Sequence, residues 1–180
     1  NNSDFIFLPI SNNNNSGCGG GNQFLNGLKN EFKRMNKYTE NLDNATVVLF
    51  NSHHHLQYIN IIKSKLPHLK IFHRIDGLHQ LWRGESGKNI DNIVQDFANN
   101  YADGVIFQSK WSKYIYEKHN IIINKKYNFI HNAADNNIFK KRKKNINGKI
   151  ELITTCWSCG DHKGIEYYMY LDKKLDFERF

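Results

Sequence analysis

Apolar positions come in two rhythms that alternate along the chain. Short continuous apolar runs occupy residues 4–10 (DFIFLPI), 45–50 (ATVVLF), 70–75 (KIFHRI), 104–109 (GVIFQS) and 127–132 (YNFIHN). Unbroken β-branched and aromatic runs bounded by Asn, Gly and Asp are the pattern of buried strands. Between them the spacing changes to three and four. Phe24, Leu25, Leu28, Phe32 and Met35 predict one helix. Leu56, Ile59, Ile62 and Leu66 predict a second, ended by Pro67, and Ile90, Ile93, Val94, Phe97 and Tyr101 a third with Asp91 near its start. A short helix is expected at 111–119. Strands that are continuously apolar and alternate with helices imply a parallel sheet covered on both faces. The expected fold is therefore α/β: a Rossmann-like parallel sheet with helices on both faces.

After the basic run at 140–144 (KKRKK), a new apolar run at 150–158 and a helical pattern at 164–172 begin again. The run itself reads as a solvated linker. The expected division is a first domain over 1–144 and the start of a truncated second Rossmann-like domain over 145–180. The chain opens on Asn1 and stops at Phe180, and a fragment of a longer protein is expected.

In sheets of this kind ligands sit outside the carboxyl ends of the strands. That directs attention to five loops, at 17–22, 51–55, 73–83, 108–111 and 132–135. The first, SGCGGGN, lacks the third glycine of a dinucleotide fingerprint and the Lys-Ser/Thr of a P-loop. Its glycines, between a strand and a helix, still let backbone N–H groups approach an anion at the helix N-terminus. His53, His54 and His55 are adjacent and so cannot all reach one metal; one of the rings is expected to line the cleft as a hydrogen-bonding group. In HRIDGLHQLWRG, charged residues stand at a strand's carboxyl end and lead into a long polar loop with Trp82 and Arg83. An Arg there suits phosphate or carboxylate, and His73 or Asp76 could accept a proton from a hydroxyl.

Composition narrows the partners. The formal net charge is +8, from 25 Lys+Arg against 17 Asp+Glu. Such a balance favours anionic ligands or an acidic membrane surface. The basic residues are scattered and form no recognised nucleic-acid module, so nucleic acid is not an expected partner. No apolar run is long enough to cross a membrane. Three cysteines make no disulfide framework. A cytoplasmic protein, with its basic surface in peripheral contact with a membrane, is the expectation. CWSC with His162 leaves a thiol-redox or zinc role for Cys156 and Cys159 as one alternative. A non-enzymatic α/β module that binds anionic ligands is another.

Taken in order, GGGNQFLNGL, HRIDGLHQLWRG, YADGVIFQSKWSKYI, FIHNAADNNIF and ITTCWSCGDHKGIEYY resemble successive segments of the retaining glycosyltransferases of family 4, which have the GT-B fold. The resemblance implies two facing Rossmann-like domains, a nucleotide-sugar donor, a hydroxyl acceptor on a glycan, lipid or protein, and a reaction that needs neither metal nor cofactor. It implies that Gly19, Gly20, Gly21 and Lys163 face the donor diphosphate, with Lys163 neutralising the leaving phosphate. Arg74, Trp82, Arg83 and Ser109 would line the acceptor side, and Asp76 and His73 would be the catalytic candidates. His73, Ile75 and Asp76 compete for the family's catalytic-loop position. Asn132 and Asp135 would turn the chain toward the hinge, although His131 and Ala133 stand where the family has Pro and Gly. The family's donor-gripping glutamate pair would lie beyond Phe180, so the 180-residue chain alone is expected to be inactive.

Overall fold

A computed structural model describes residues 4–10, 20–133, 140 and 164–174. The chain divides into two compact units, Asn1–Ala133 and Ala134–Phe180. The expected boundary near Asn145 and the expected strand at 150–158 lie outside the described residues.

The first unit is a five-stranded parallel sheet in the order β1 (Ile6–Phe7), β2 (Val47–Asn51), β3 (Lys70–Ile75), β4 (Gly104–Phe107) and β5 (Tyr127–Phe129). Every pairing is parallel. Four helices connect these strands: α1 (Gly20–Arg34), α2 (Ile59–Lys65), α3 (Gln80–Tyr101) and α4 (Lys110–Lys118). The expected Rossmann-like α/β sheet is the observed fold.

Strand register sorts the side chains between two faces, because successive side chains alternate. Phe50 pairs with His73 and His73 with Val105, while Asn51 pairs with Arg74 and Arg74 with Ile106. The first face carries Val48, Phe50, Ile71, Ile75, Val105 and Phe107, all buried. Ile59 and Ile62 of α2, Val94 and Ala98 of α3, and Ile115 and Tyr116 of α4 pack on it. α1 covers the other face, where the Phe24 ring lies 4.0 Å from the Arg74 guanidinium carbon. Helices thus flank both faces.

The first crossover changes direction. Ile6 donates its N–H to Lys37 and accepts from Thr39, so Tyr38 bridges β1 in parallel on one edge. Phe5 accepts from Thr46 and Val47 on the opposite edge, where β2 lies. From β1 the chain therefore steps outward through α1 to Tyr38 and then returns across β1 to β2. This reversal is a topological switch point, the place where a crevice opens at the strands' carboxyl ends.

One expected loop is helical. α3 starts at Gln80, ten residues earlier than the apolar pattern, and includes Trp82 and Arg83 before a break at Gly84 (φ 56°, ψ −133°). The cause is tertiary. The buried Asp91 carboxylate accepts the N–H groups of His79 and Gln80 at 2.9 and 2.8 Å. It satisfies donors that the first turn of a helix leaves without partners. The two halves meet so closely that a Cβ on Gly87 would stand 2.4 Å from the His79 carbonyl oxygen.

In the second unit, α5 (Ile165–Lys174) follows Gly164, whose φ is +72°. It occupies the helix expected at 164–172.

Candidate functional site

The carboxyl ends of β2 to β5 are tied together by one side chain. Arg74 is 2 % exposed although it is the second-last residue of β3. Nη1 donates to Asn51 Oδ1 at 2.5 Å and to Asp76 Oδ1, and Nη2 donates to Asn132 Oδ1 at 2.8 Å and Gln108 Oε1 at 3.3 Å. Each of the four acceptors stands at the end of a different strand. The fixed fork of guanidinium donors suits this arrangement, whereas an ammonium could not span it.

The network determines how Asn51 is oriented. Its Oδ1 is fixed by Arg74, so its Nδ2 points the other way, toward the start of α1. A Cβ built on Gly21 would lie 3.1 Å from Nδ2 and 3.9 Å from Asp76 Oδ2. Asn51 is 3 % exposed and its Nδ2 has no hydrogen-bond partner. A buried amide donor without an acceptor costs on the order of 1–3 kcal/mol. Here it faces the N-terminus of a 15-residue helix, itself the positive end of a dipole. The start of α1 thus packs closely against the Asn51 amide, which has a free donor and lacks only an acceptor.

A second polar cluster borders the first. Ser52, at φ 52°, places Oγ 3.2 Å from both His53 Nδ1 and His79 Nε2. The His53 ring packs edge-on against His79 at 5.0 Å and lies 4.2 Å from the His54 ring. Burial, reinforced by His54, His79 and Arg83 and opposed by Asp76, pushes the His53 pKa down to about 4. Burial also lowers His79, against the opposing pull of Asp91. Both rings are therefore neutral near pH 7.

The predicted site residues do not all come together. Gly20, Gly21, Arg74 and Asp76 come together at the switch point. Gly21 is the glycine with a close neighbour, since a Cβ on Gly20 would meet nothing within 4 Å. Trp82, 54 % exposed, and Arg83 lie on the surface of α3's first turns, with Arg83 close enough for its charge to act on His53 and His79. Ser109 is the N-cap of α4: its Oγ accepts the Ser112 N–H at 3.0 Å, and Ser112 Oγ accepts the Ser109 N–H in return. This capping box gives Ser109 a structural role at the start of α4. Gly19 and Lys163, like Cys18, Cys156, Cys159 and His162, lie outside the described residues.

His73 has a different environment from the one its place in the motif suggests. It has no exposed surface and lies on the face opposite Arg74, edge-on to Phe97 at 4.8 Å. Its Nε2 donates to the Ser52 carbonyl at 2.7 Å, since a carbonyl oxygen only accepts, and burial, against the pull of that bond, holds its pKa down at about 4, so the ring is neutral. A ring enclosed in this way does not reach a substrate. The catalytic expectation thus passes to Asp76, whose side chain is 28 % exposed.

Asn51 and Gln108 were not singled out from sequence, although both lie in loops expected to matter. Their signal was positional: each is a polar residue at the carboxyl end of an apolar strand. Among the described residues no group of His, Cys, Asp and Glu is arranged to hold a metal ion, and no helix is long and apolar enough to cross a membrane. No family model, curated protein or solved structure matches the chain.

Proposed function

We propose that this chain carries the acceptor-side domain of a retaining, nucleotide-sugar-dependent glycosyltransferase of the GT-B type. The observation that carries the reading is the partnerless Asn51 amide, directed at Gly21 and the N-terminus of α1 in the switch-point crevice. On this reading a donor phosphate, admitted by a shift of the α1 start away from Asn51, takes the amide and the helix N–H groups as hydrogen bonds and the helix dipole as compensating charge. Those donors strengthen their hold as negative charge grows on the leaving phosphate, which is how a preorganised site accelerates group transfer. Asp76, its Oδ1 held by Arg74, leaves Oδ2 3.9 Å from the Gly21 Cβ position, at the edge of the phosphate site, where its charge disfavours an anion and suits a hydroxyl. It serves as the hydrogen-bond acceptor for a sugar or acceptor hydroxyl. The resemblance of the five motif segments to family 4 supports the choice of a sugar transferase over other phosphate-binding α/β proteins. The reading requires no metal.

The test is calorimetric titration of the chain with pyrophosphate and with a panel of nucleoside diphosphates and their sugar esters. Binding by the diphosphates that is lost in Asn51→Leu is expected. No transfer from the sugar esters to hydroxyl acceptors is expected of the 180-residue chain alone, and detectable transfer by it would refute the expectation that the donor-gripping residues lie beyond Phe180. Absence of diphosphate binding, or binding indifferent to Asn51→Leu, refutes the assignment of the crevice.

A further inference from the structure

A second cavity, of about 630 Å³, opens at the β1 edge of the sheet and shares no lining residue with the Asn51–Arg74 crevice. This volume is in the range of pockets that enclose a small organic ligand. Its apolar lining includes Phe7, Leu8, Ile10, Leu42, Ile61 and Ile62. Phe7, Leu42 and Ile62 continue directly into the core beneath α2. Ile61, 52 % exposed, and Tyr58, 48 % exposed, stand at its mouth. Apolar surface left wet in this way is surface that an apolar ligand would gain by covering.

The cavity is also lined by Lys29, Tyr38 and Glu40, and Lys33 stands beside them, so positive charge is in excess there. Lys29 and Lys33 both reach the Glu40 carboxylate, at 3.2 and 3.1 Å. Both ammonium groups also lie over the Tyr38 ring, at 5.3 and 5.4 Å from its centre. Two cations therefore share one carboxylate, and that carboxylate is 67 % exposed. Exposed ion pairs are weak, so an incoming anion can displace Glu40 at small cost. Lys29, at 24 % exposure, is already held in place for it.

We propose that this cavity binds a single-chain amphiphile, with its aliphatic tail along Phe7, Leu42 and Ile62 and its carboxylate or phosphate head at Lys29 and Lys33. Neither feature alone specifies this ligand. An apolar floor would accept many hydrophobic molecules, and paired lysines many anions, but an apolar lining and Lys29 in one cavity, with Lys33 beside it on the shared Glu40, specify a tail joined to an acidic head. The inference is independent of the transferase reading.

Dodecanoate and dodecyl phosphate, each below its micellar concentration, are titrated calorimetrically into the 180-residue chain, with dodecanol as the headless control. Saturable binding of one molecule per chain is expected. Ile61→Glu, at an exposed position, should leave the thermal midpoint unchanged and weaken all three ligands at least tenfold. Lys29→Gln combined with Lys33→Gln should weaken the two anions about tenfold and leave dodecanol unaffected. The tighter of the two anions shows whether the head is a carboxylate or a phosphate. Absence of saturable binding, or binding unchanged by Ile61→Glu, overturns the proposal.

Discussion

Replacing Arg74 with Met keeps the apolar stem and removes the guanidinium, so it isolates the network that ties the strand ends. Four acceptors lose a charged donor, but their losses differ. Asn132 is exposed and Gln108 partly so, and water replaces Arg74 at both. Asp76, 28 % exposed, regains much of its hydration. Asn51, at 3 %, regains none. It is left with an orphaned Oδ1 beside an already orphaned Nδ2, at a cost of about 1–3 kcal/mol. The uncompensated carboxylate of Asp76 adds about 1 kcal/mol after solvent screening. The guanidinium's stacking on Phe24 contributes roughly another 1 kcal/mol where it is desolvated. One offset is the Arg74 Nε, a buried donor that has no partner in the native protein. The net expectation is a loss of about 2–4 kcal/mol, which for a unit of this size lowers the thermal midpoint by roughly 6–12 °C. Urea unfolding followed by circular dichroism measures it. Arg74→Lys should recover less than half, because a point charge cannot reach four acceptors. Adding Asn51→Leu to Arg74→Met should cost much less than Asn51→Leu alone, since the residues act as one unit. A destabilisation below about 0.5 kcal/mol, or strict additivity in the double variant, refutes the view that Arg74 and Asn51 form one buried network.

Three further expectations follow from the same geometry. Gly21→Val should abolish diphosphate binding in calorimetry, because its side chain crowds Asn51 Nδ2, whereas Gly20→Val should bind normally; equal behaviour of the two would remove Gly21 from the site. Gly87→Ala drives a methyl into the His79 carbonyl and should cost about 1–3 kcal/mol in urea unfolding, with loss of amide protection at His79 and Gln80; an unchanged midpoint would refute the close approach. His53 and His73 are held down at about 4 when folded, while the unfolded chain takes up those protons near 6.5. Between those values the unfolded state binds more protons, so stability should be level above about pH 6.5 and fall as pH drops toward 4. Imidazole nitrogen shifts at pH 5 should show His73 as the neutral Nε2–H form, and a charged His73 at that pH would contradict its placement.

Much of this architecture was legible because the strand and helix patterns differ in period. The runs at 45–50, 70–75, 104–109 and 127–132 all overlap observed strands. The first run, 4–10, pairs only through Ile6 and Phe7. What could not be read are features that depend on distant residues. No local pattern makes 80–83 helical; Asp91, eleven residues from Gln80, supplies the missing hydrogen-bond acceptor, and Gly87 supplies the clearance. The switch point was equally hidden, because Tyr38 pairs with β1 through a single isolated bridge rather than a strand with its own apolar run. The candidate site was legible by loop but not by residue. The motif HRID drew attention to three polar side chains, and only the two with even numbers face the crevice.

That last point follows from strand geometry rather than from chemistry. A strand exposes alternate residues to opposite faces, so His73 and Arg74 have opposite environments although they are neighbours in one motif. The register of β3 between β2 and β4 fixes which is which: His73 is paired with Phe50 and Val105 among the apolar residues, and Arg74 with Asn51 and Ile106 beneath α1. A slip of one residue would place the guanidinium in the core and the imidazole in the crevice, and every acceptor of the Arg74 network would lose its donor. The buried His73 resists that slip through its bond to the Ser52 carbonyl, while the Ser52 N–H is bonded to the Arg74 carbonyl at 2.8 Å. Ser52 is thereby held from both sides at a positive φ, and its hydroxyl is directed at His53 and His79. The imidazole that the motif offers as a catalyst thus anchors the backbone of β2 against β3, and through it keeps Arg74, Asp76 and Asn51 directed at the start of α1.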